Sequence, residues 1–351
     1  MNLESIKVHY ILGLGRSGTT LLLKELGRSQ GVISNPESLF ALDFLYVFEP
    51  EKVLTTKEID FFLTRIFSLK TGRFVHLDLW NIDKNKLREA IQAHSPIQFK
   101  NVIKLVNLYS EIGRKTLDPQ IIIDKNPPYT VHFEQLSKLD INSKFIGIYR
   151  HYWDNILSRN KYKLDAINHP YYHALMWCLY NESLLKSKNK TPEMVLLIRY
   201  EELVNNPEEH LDTARNFMNL SINLKSQKEN YLAEDFLLTL KNSDDKKQFL
   251  EMHSKVFNEI DTKAIGKKNE NFTKNQINAI HFICNSTSQK LGYESERFHK
   301  PSHAQRILIT WFKCVLWFVE IKHHAYYRAS HKKRKLLKIV TQPWLLFHKK
   351  A

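Results

Sequence analysis

The chain has 351 residues, 43% of them hydrophobic and 12% aromatic, ample for the core of one large α/β domain or two smaller ones and excluding a disordered chain. Its net charge of +15 is unevenly placed: residues 301–351 carry eleven Lys/Arg against the single acid Glu320, a balance of +10, which leaves only +5 for the first 300. A near-neutral body with a basic tail is not the pattern of a uniformly basic nucleic-acid binder, so no nucleic-acid partner is expected.

In chain order, the first predicted strand is 6–12, entered straight from Met1-Asn2-Leu3-Glu4-Ser5-Ile6-Lys7. No basic n-region with an apolar h-region occurs there, so no secretory leader is expected. The strand runs into Gly13-Leu14-Gly15-Arg16-Ser17-Gly18-Thr19-Thr20, the layout of a phosphate-cradling loop followed by a helix beginning near Gly18. Unpaired N–H groups at such a helix start bind anionic oxygens. The loop is almost a Walker A motif, but Thr19 stands where the lysine should be and the positive charge sits earlier, at Arg16. Nothing there reaches the β/γ-phosphates of ATP, which argues against a nucleotide triphosphatase.

Residues 50–118 read as mainly helical and mixed in character. Further strands are predicted at 120–124, 143–149 and 193–199, each ending on polar residues: Asp124-Lys125-Asn126, Arg150-His151 and Tyr200-Glu201-Glu202. Strands separated by helical segments predict a parallel sheet, and in such sheets ligands bind beyond the carboxyl ends of the strands. A helix at 207–219 is expected with Asn206 as N-cap and Pro207 in its first turn, and another from about Thr273 to Leu291, stopped by Gly292. The three cysteines, Cys178, Cys284 and Cys314, are widely spaced and odd in number. They suggest neither a metal site nor a disulfide framework, and a reducing, cytoplasmic compartment is expected.

Four signals together resemble the sulfotransferases that use 3′-phosphoadenosine-5′-phosphosulfate (PAPS), over roughly residues 6–293. Arg16-Ser17-Gly18-Thr19-Thr20-Leu21 looks like their 5′-phosphosulfate loop. Tyr149-Arg150, with Ser158 eight residues on, is similar to the Arg/Ser pair that holds the 3′-phosphate. Leu197-Ile198-Arg199-Tyr200-Glu201-Glu202-Leu203 followed by Pro207 is similar to the R-Y-E-D-L…P segment whose tyrosine lies near the adenine. His253-Ser254-Lys255, with Ile265-Gly266-Lys267 further on, resembles a late segment that closes over the donor. Relatives often read I-G-R-W there; this chain has Lys267-Lys268, which keeps charge and loses the aromatic ring.

The resemblance implies a P-loop NTPase-like parallel sheet flanked by helices. It also implies a donor site formed by Gly15, Arg16, Ser17, Gly18, Thr19, Thr20, Arg150, Ser158, Tyr200 and Lys267. The closest local likeness is to tyrosylprotein sulfotransferases and their bacterial relatives, which carry an acidic residue about 21 positions after the loop arginine; here that residue is Glu37. A carboxylate beside the sulfur suits a general base, because the acceptor hydroxyl must lose its proton as it attacks. Lys125, in Asp124-Lys125-Asn126-Pro127-Pro128, resembles the family's D/N-K-x-P lysine. With Arg16, and with Ser254 as a hydrogen-bond donor, it would stabilise the charge developing on the leaving phosphate, so no metal is expected.

PAPS carries anionic groups at both ends of an adenosine, so it needs two anion pockets. The loop offers one and Arg150/Ser158 the other. On a helix begun near His151, Ser158 lies about two turns along, and pairing it with Arg150 implies a curved segment wrapping the phosphate.

The expected activity is sulfuryl transfer from PAPS to a hydroxyl of a carbohydrate, glycolipid or protein. The alternatives are an ATP-dependent P-loop kinase of a small metabolite and a non-catalytic protein that binds PAPS or its bisphosphate product.

Residues 1–300 are expected to form the sulfotransferase domain and 301–351 a basic, aromatic-rich helical extension. Residues 307–321 read as a helix too short to span a bilayer, with Arg306, Lys313 and Glu320 on one narrow stripe. With the cluster His331-Lys332-Lys333-Arg334-Lys335 and the apolar Trp344-Leu345-Leu346-Phe347, two readings stand. One is peripheral attachment to an anionic membrane surface on the cytoplasmic face; the other is a helix docked on the catalytic body or on a second subunit.

Overall fold

The computed structural model describes residues 2–68, 77–162, 167–221, 223, 266 and 272–329. Five parallel strands, β1 (Lys7–Leu12), β2 (Val32–Ile33), β3 (Ile121–Lys125), β4 (Phe145–Tyr149) and β5 (Val195–Arg199), form one sheet in the order β2-β3-β1-β4-β5. β1 pairs with β3 on one side and β4 on the other. Chain order therefore reverses at β1, and the crevice beyond its carboxyl end is where an open parallel sheet binds ligands. The residues of β1, β3 and β4 are almost all buried, the reason these segments read as continuous apolar runs, while the edge strand β5 is partly exposed. The four predicted strands stand with boundaries moved by one or two residues. β2 was not anticipated, since two residues give no periodicity to read.

The helices are α1 (Thr19–Gly27), α2 (Phe40–Phe44), α3 (Thr56–Ser68), α4 (Lys84–Ala93), α5 (Phe99–Leu108), α6 (Glu111–Lys115), α7 (Phe133–Leu136), α8 (Tyr152–Tyr162), α9 (Pro170–Lys190), α10 (Tyr200–Asn205), α11 (Pro207–Met218), α12 (Lys274–Lys290) and α13 (His303–Arg328). One sheet face is covered by α1, α10 and α11, through Leu22, Leu26, Leu203, Ala214 and Met218. The other is covered by α2 to α5, where Phe44, Phe62 and Phe99 pack ring against ring with Phe48 of the turn after α2. The helical stretch 50–118 thus supplies much of the core on this face. α9 gathers a further layer from α8, α12 and α13.

Local caps explain several boundaries. Thr273 and Gln276 form a reciprocal capping box at the start of α12, and Gly292 turns the chain away after it at φ 80°. Asn206 does precede α11, but its side chain makes no capping bond. Ser302 and Gln305 cap α13 in the same reciprocal manner. That helix runs 26 residues, well beyond the predicted 307–321. Its inner face buries Ile309, Phe312 and Leu316, with Phe312 stacked on His169. Side chains of this size contribute about 1.5–3 kcal/mol each when buried, enough to hold the helix against α9. Its last turns reach α3 and the segment after α2, where Arg65 donates to Tyr326 Oη at 3.0 Å and Tyr327 stacks on Tyr46. No described helix is long and apolar enough to cross a membrane.

Candidate active site

The loop after β1 is shaped by three left-handed residues, Gly13 (φ 144°), Arg16 (φ 73°) and Gly18 (φ 98°). A Cβ on Gly18 would lie 2.4 Å from the Tyr200 ring, and one on Gly13 2.4 Å from the Ile148 carbonyl, so both positions need glycine. Arg16 pays the left-handed cost without being glycine, a strain typical of ligand-clamping loops. Gly18 caps α1 with no side-chain hydrogen bond, leaving the N–H groups of its first turn aimed at the crevice. Thr130 Oγ1 accepts from Gly13 N–H at 2.8 Å and so ties the loop to the segment after β3.

Two polar clusters flank this loop. In the first, Lys125 at the carboxyl end of β3 donates to Thr20 Oγ1 at 3.1 Å and to Glu37 Oε1. The lysine side chain is 3% exposed and the glutamate 28%, so the carboxylate is the member that reaches the surface. Glu37 lies just before α2, in a turn held by Trp80 donating to the Pro36 carbonyl and by Asn35 donating to Asn107. Behind Lys125, the Asp124 carboxyl is fully enclosed and accepts from Tyr129 Oη at 2.9 Å and from the Asn126 amide at 2.7 Å. Burial raises it to about 7, with the Tyr129 bond and the Lys125 charge opposing that rise and Glu37 adding to it.

In the second cluster Arg16 Nε donates to Ser158 Oγ at 2.9 Å, and the guanidinium lies over the Tyr162 ring. Arg150 donates to the Arg16 carbonyl at 3.2 Å and stacks over Tyr200 at 4.6 Å. Arg159 donates to the Gly15 carbonyl at 3.3 Å. Burial, together with the Arg150 and Arg159 charges, pushes the Arg16 guanidinium below its ordinary range. Three arginines crowded around one loop give a site whose chemistry suits an anion.

The structure brings Gly15, Arg16, Ser17, Gly18, Thr19, Thr20, Glu37, Lys125, Arg150, Ser158 and Tyr200 to one end of the sheet, and divides them differently from the expectation. α8 is an unbroken helix, so no curved segment joins Arg150 to Ser158. Ser158 pairs with Arg16, because nearly two helical turns carry it about 9 Å from the helix start and over the loop. Ser254 and Lys267 lie outside the described residues. Their neighbour Gly266 donates its N–H to Asp154 Oδ2 at 3.1 Å, which brings that point of the late segment against α8.

Sequence reasoning missed Asn155, which donates to both the Gly15 carbonyl and Ser17 Oγ, and Arg159 beside it. Residues 155, 158 and 159 share one helical face, so placing Ser158 over the loop places the other two there as well. It also missed Glu201 as a junction. Its carboxylate accepts from His151 N–H and Tyr293 Oη, both at 2.9 Å, and pairs with Arg199, joining the ends of β4 and β5 to the chain after α12.

A family model described as the sulfotransferase family matches residues 10–223. Among solved structures, the sulfotransferase domain from the Synechococcus PCC 7002 olefin synthase shares 17% identity with a TM-score of 0.50, over 83% of this chain and 96% of that one. The sulfotransferase domain from the curacin biosynthetic pathway shares 19% identity with a TM-score of 0.47, over 83% and 99%. Sulfotransferase STF9 from Mycobacterium avium shares 13% identity with a TM-score of 0.40, over 84% and 79%. Comparison with curated proteins finds no match. The first of these structures shares the α/β fold, and the family model spans more than half of the chain, including the loop, both clusters and all the strands from Tyr10 onward. The chain belongs to the sulfotransferase family.

Proposed function

We propose that the protein transfers the sulfuryl group of PAPS to a hydroxyl group of a carbohydrate, glycolipid or protein, in line and without a metal. The observation that carries this reading is the pairing of Lys125 with Glu37 on one flank of the loop while Arg16, Ser158 and Arg150 gather on the other. A ligand with anionic groups at both ends of an adenosine fits two such clusters. An ATP-binding loop would instead place its lysine at position 19, where this chain has threonine.

The residues present fit the donor. The first-turn N–H groups of α1, with Thr19 and Thr20, would hold its 5′ end, and Arg150, Ser158 and Arg159 its 3′-phosphate, with Tyr200 beside the adenine. When bound, the donor supplies an electrophilic sulfur whose leaving group is a phosphate. The Glu37 carboxylate takes the proton of the acceptor hydroxyl as its oxygen attacks. The Lys125 ammonium, released from Glu37 as that carboxylate gains a proton, neutralises charge on the phosphate oxygen that leaves. Arg16 serves the same charge from the loop, and its bond to Ser158 supports a share in holding the 3′ end. Ser254 and Lys267 belong to the same proposal as groups closing over the donor. In this reading residues 1–300 carry the transfer chemistry in a cytoplasmic setting, and 301–351 are an extension.

Thermal shift with 3′-phosphoadenosine 5′-phosphate against ATP and Mg²⁺ tests the donor. The bisphosphate should raise Tm at concentrations where ATP does not. Stabilisation by ATP alone would overturn the reading. Transfer of labelled sulfate from PAPS to a panel of hydroxyl acceptors then tests the reaction.

A further inference from the structure

We propose that the outward face of α13 docks on an anionic lipid surface. The inner face of this helix is occupied by α9 and, at its last turns, by the segments of Arg65, Tyr46 and His132. The outer face is apolar yet uncovered among the described residues: Ile307 is 72% exposed, Trp311 54%, Trp317 66% and Phe318 64%. At 100° per residue, Ile307, Trp311, Cys314, Phe318 and Ile321 fall within an arc of about 80°, along about 21 Å of helix. Arg306, Lys313 and Arg328 border this stripe on Trp317's side and Lys322 on the other, while the only acid, Glu320, is turned toward the body.

An apolar stripe containing tryptophan, edged by cations and too short to cross a bilayer, is the composition of a helix lying in the headgroup plane. Charge decides between a lipid surface and a second copy of the chain. The sequence after Arg328 adds Lys332, Lys333, Arg334, Lys335, Lys338, Lys349 and Lys350 with no acid. Pairing of two copies would double this uncompensated positive charge in one assembly, whereas anionic headgroups neutralise it.

The test is cosedimentation of the full chain with vesicles of phosphatidylcholine alone or with about 30% phosphatidylglycerol. The protein should pellet with the anionic vesicles only, and about 0.5 M NaCl should release most of it. Because the substituted side chains face outward, the double variant W311E/F318E should keep its circular dichroism and lose more than about tenfold in vesicle affinity. R306E/K313E gives a second variant that leaves the apolar stripe intact and should weaken binding to anionic vesicles. Failure of the native chain to pellet, or unchanged pelleting of W311E/F318E, would overturn the proposal. So would a dimer that dissolves in that variant while no vesicle binding is seen. No donor is present in the assay, so its outcome is independent of the donor-binding result.

Discussion

Lys125 and Glu37 stand 88 residues apart in the chain, yet the buried ammonium of one donates directly to the half-exposed carboxylate of the other. The pair joins the end of β3 to the turn before α2, so the proposed base and the proposed leaving-group cation begin in contact. Only the carboxylate has access to an incoming acceptor. Glu37→Gln preserves shape and a hydrogen-bond acceptor while removing basicity. It should lower kcat by about 10²–10³-fold and leave the thermal shift by the bisphosphate unchanged. Normal turnover by this variant would reduce the pair to a structural ion pair. Glu37→Ala should in addition lose about 1–3 kcal/mol, because it strips a buried ammonium of its counter-charge; the exposure of Glu37 keeps the loss below that of a fully buried pair.

Ser158 and Arg16 separate binding from chemistry. Ser158→Ala removes one neutral hydroxyl partner, so it should raise KM for PAPS by about 5–10-fold with kcat nearly unchanged. Arg16→Ala distinguishes two roles for the loop cation. A fall in kcat beyond the effect on KM supports contact with the charge developing in the transition state. A change in KM alone would confine Arg16 to holding the donor with Ser158.

Much of this site was legible because it lies where strands end. β1, β3 and β4 announce themselves as apolar runs since both of their faces are covered, and the polar residues that stop these runs and that of β5 are the ones the sheet brings together. The loop was legible from its glycines. The pairing of side chains was not. Arg150 and Ser158 are near neighbours in sequence, but along a straight α8 each meets Arg16, Ser158 through its hydroxyl and Arg150 through the Arg16 carbonyl, a meeting with a residue more than 130 positions away that no local spacing encodes. The Lys125–Glu37 contact likewise depends on which end of the sheet each segment reaches, and no local spacing encodes it. α13 was placed correctly as a helix, whereas its two-sided character follows from where α9 happens to lie.

Gly18 and Gly15 give a contrast within one loop. Gly18→Ala forces a methyl group to within 2.4 Å of Tyr200 at a backbone angle that L side chains rarely adopt. It should cost about 2–4 kcal/mol and abolish stabilisation by the bisphosphate. At Gly15 φ is not positive and the nearest atom to an added Cβ is Arg159 Nη1 at 3.4 Å. Gly15→Ala should therefore stay within about 1 kcal/mol of the native protein. Equal losses for the two would mean that the loop geometry does not set this requirement.

Asp124 makes stability depend on pH with a sign opposite to that of an ordinary ion-paired carboxylate. Its native value is about 7, against an ordinary 3.8, because burial disfavours the charged form. Between these values the folded protein holds a proton that the unfolded chain has released. The contribution is therefore complete below about pH 4 and is lost as pH rises toward 7. His9 runs the other way over much of the same window. Its ring is fixed between the Met218 carbonyl and Lys144 N–H, and burial lowers it from 6.5 to about 4, so its contribution is lost on acidification. The two slopes offset each other in the native protein, and a single pH profile of it would hide both. Asp124→Asn removes only the first, since an amide can still meet Tyr129 and Asn126 and cannot ionise. The variant should gain stability relative to the native chain by on the order of 2 kcal/mol between about pH 5 and pH 8, read as a widening Tm difference. His9 is common to both proteins and cancels from that difference, so a gap that stays constant across the range would show that Asp124 keeps an ordinary carboxylate value despite its burial.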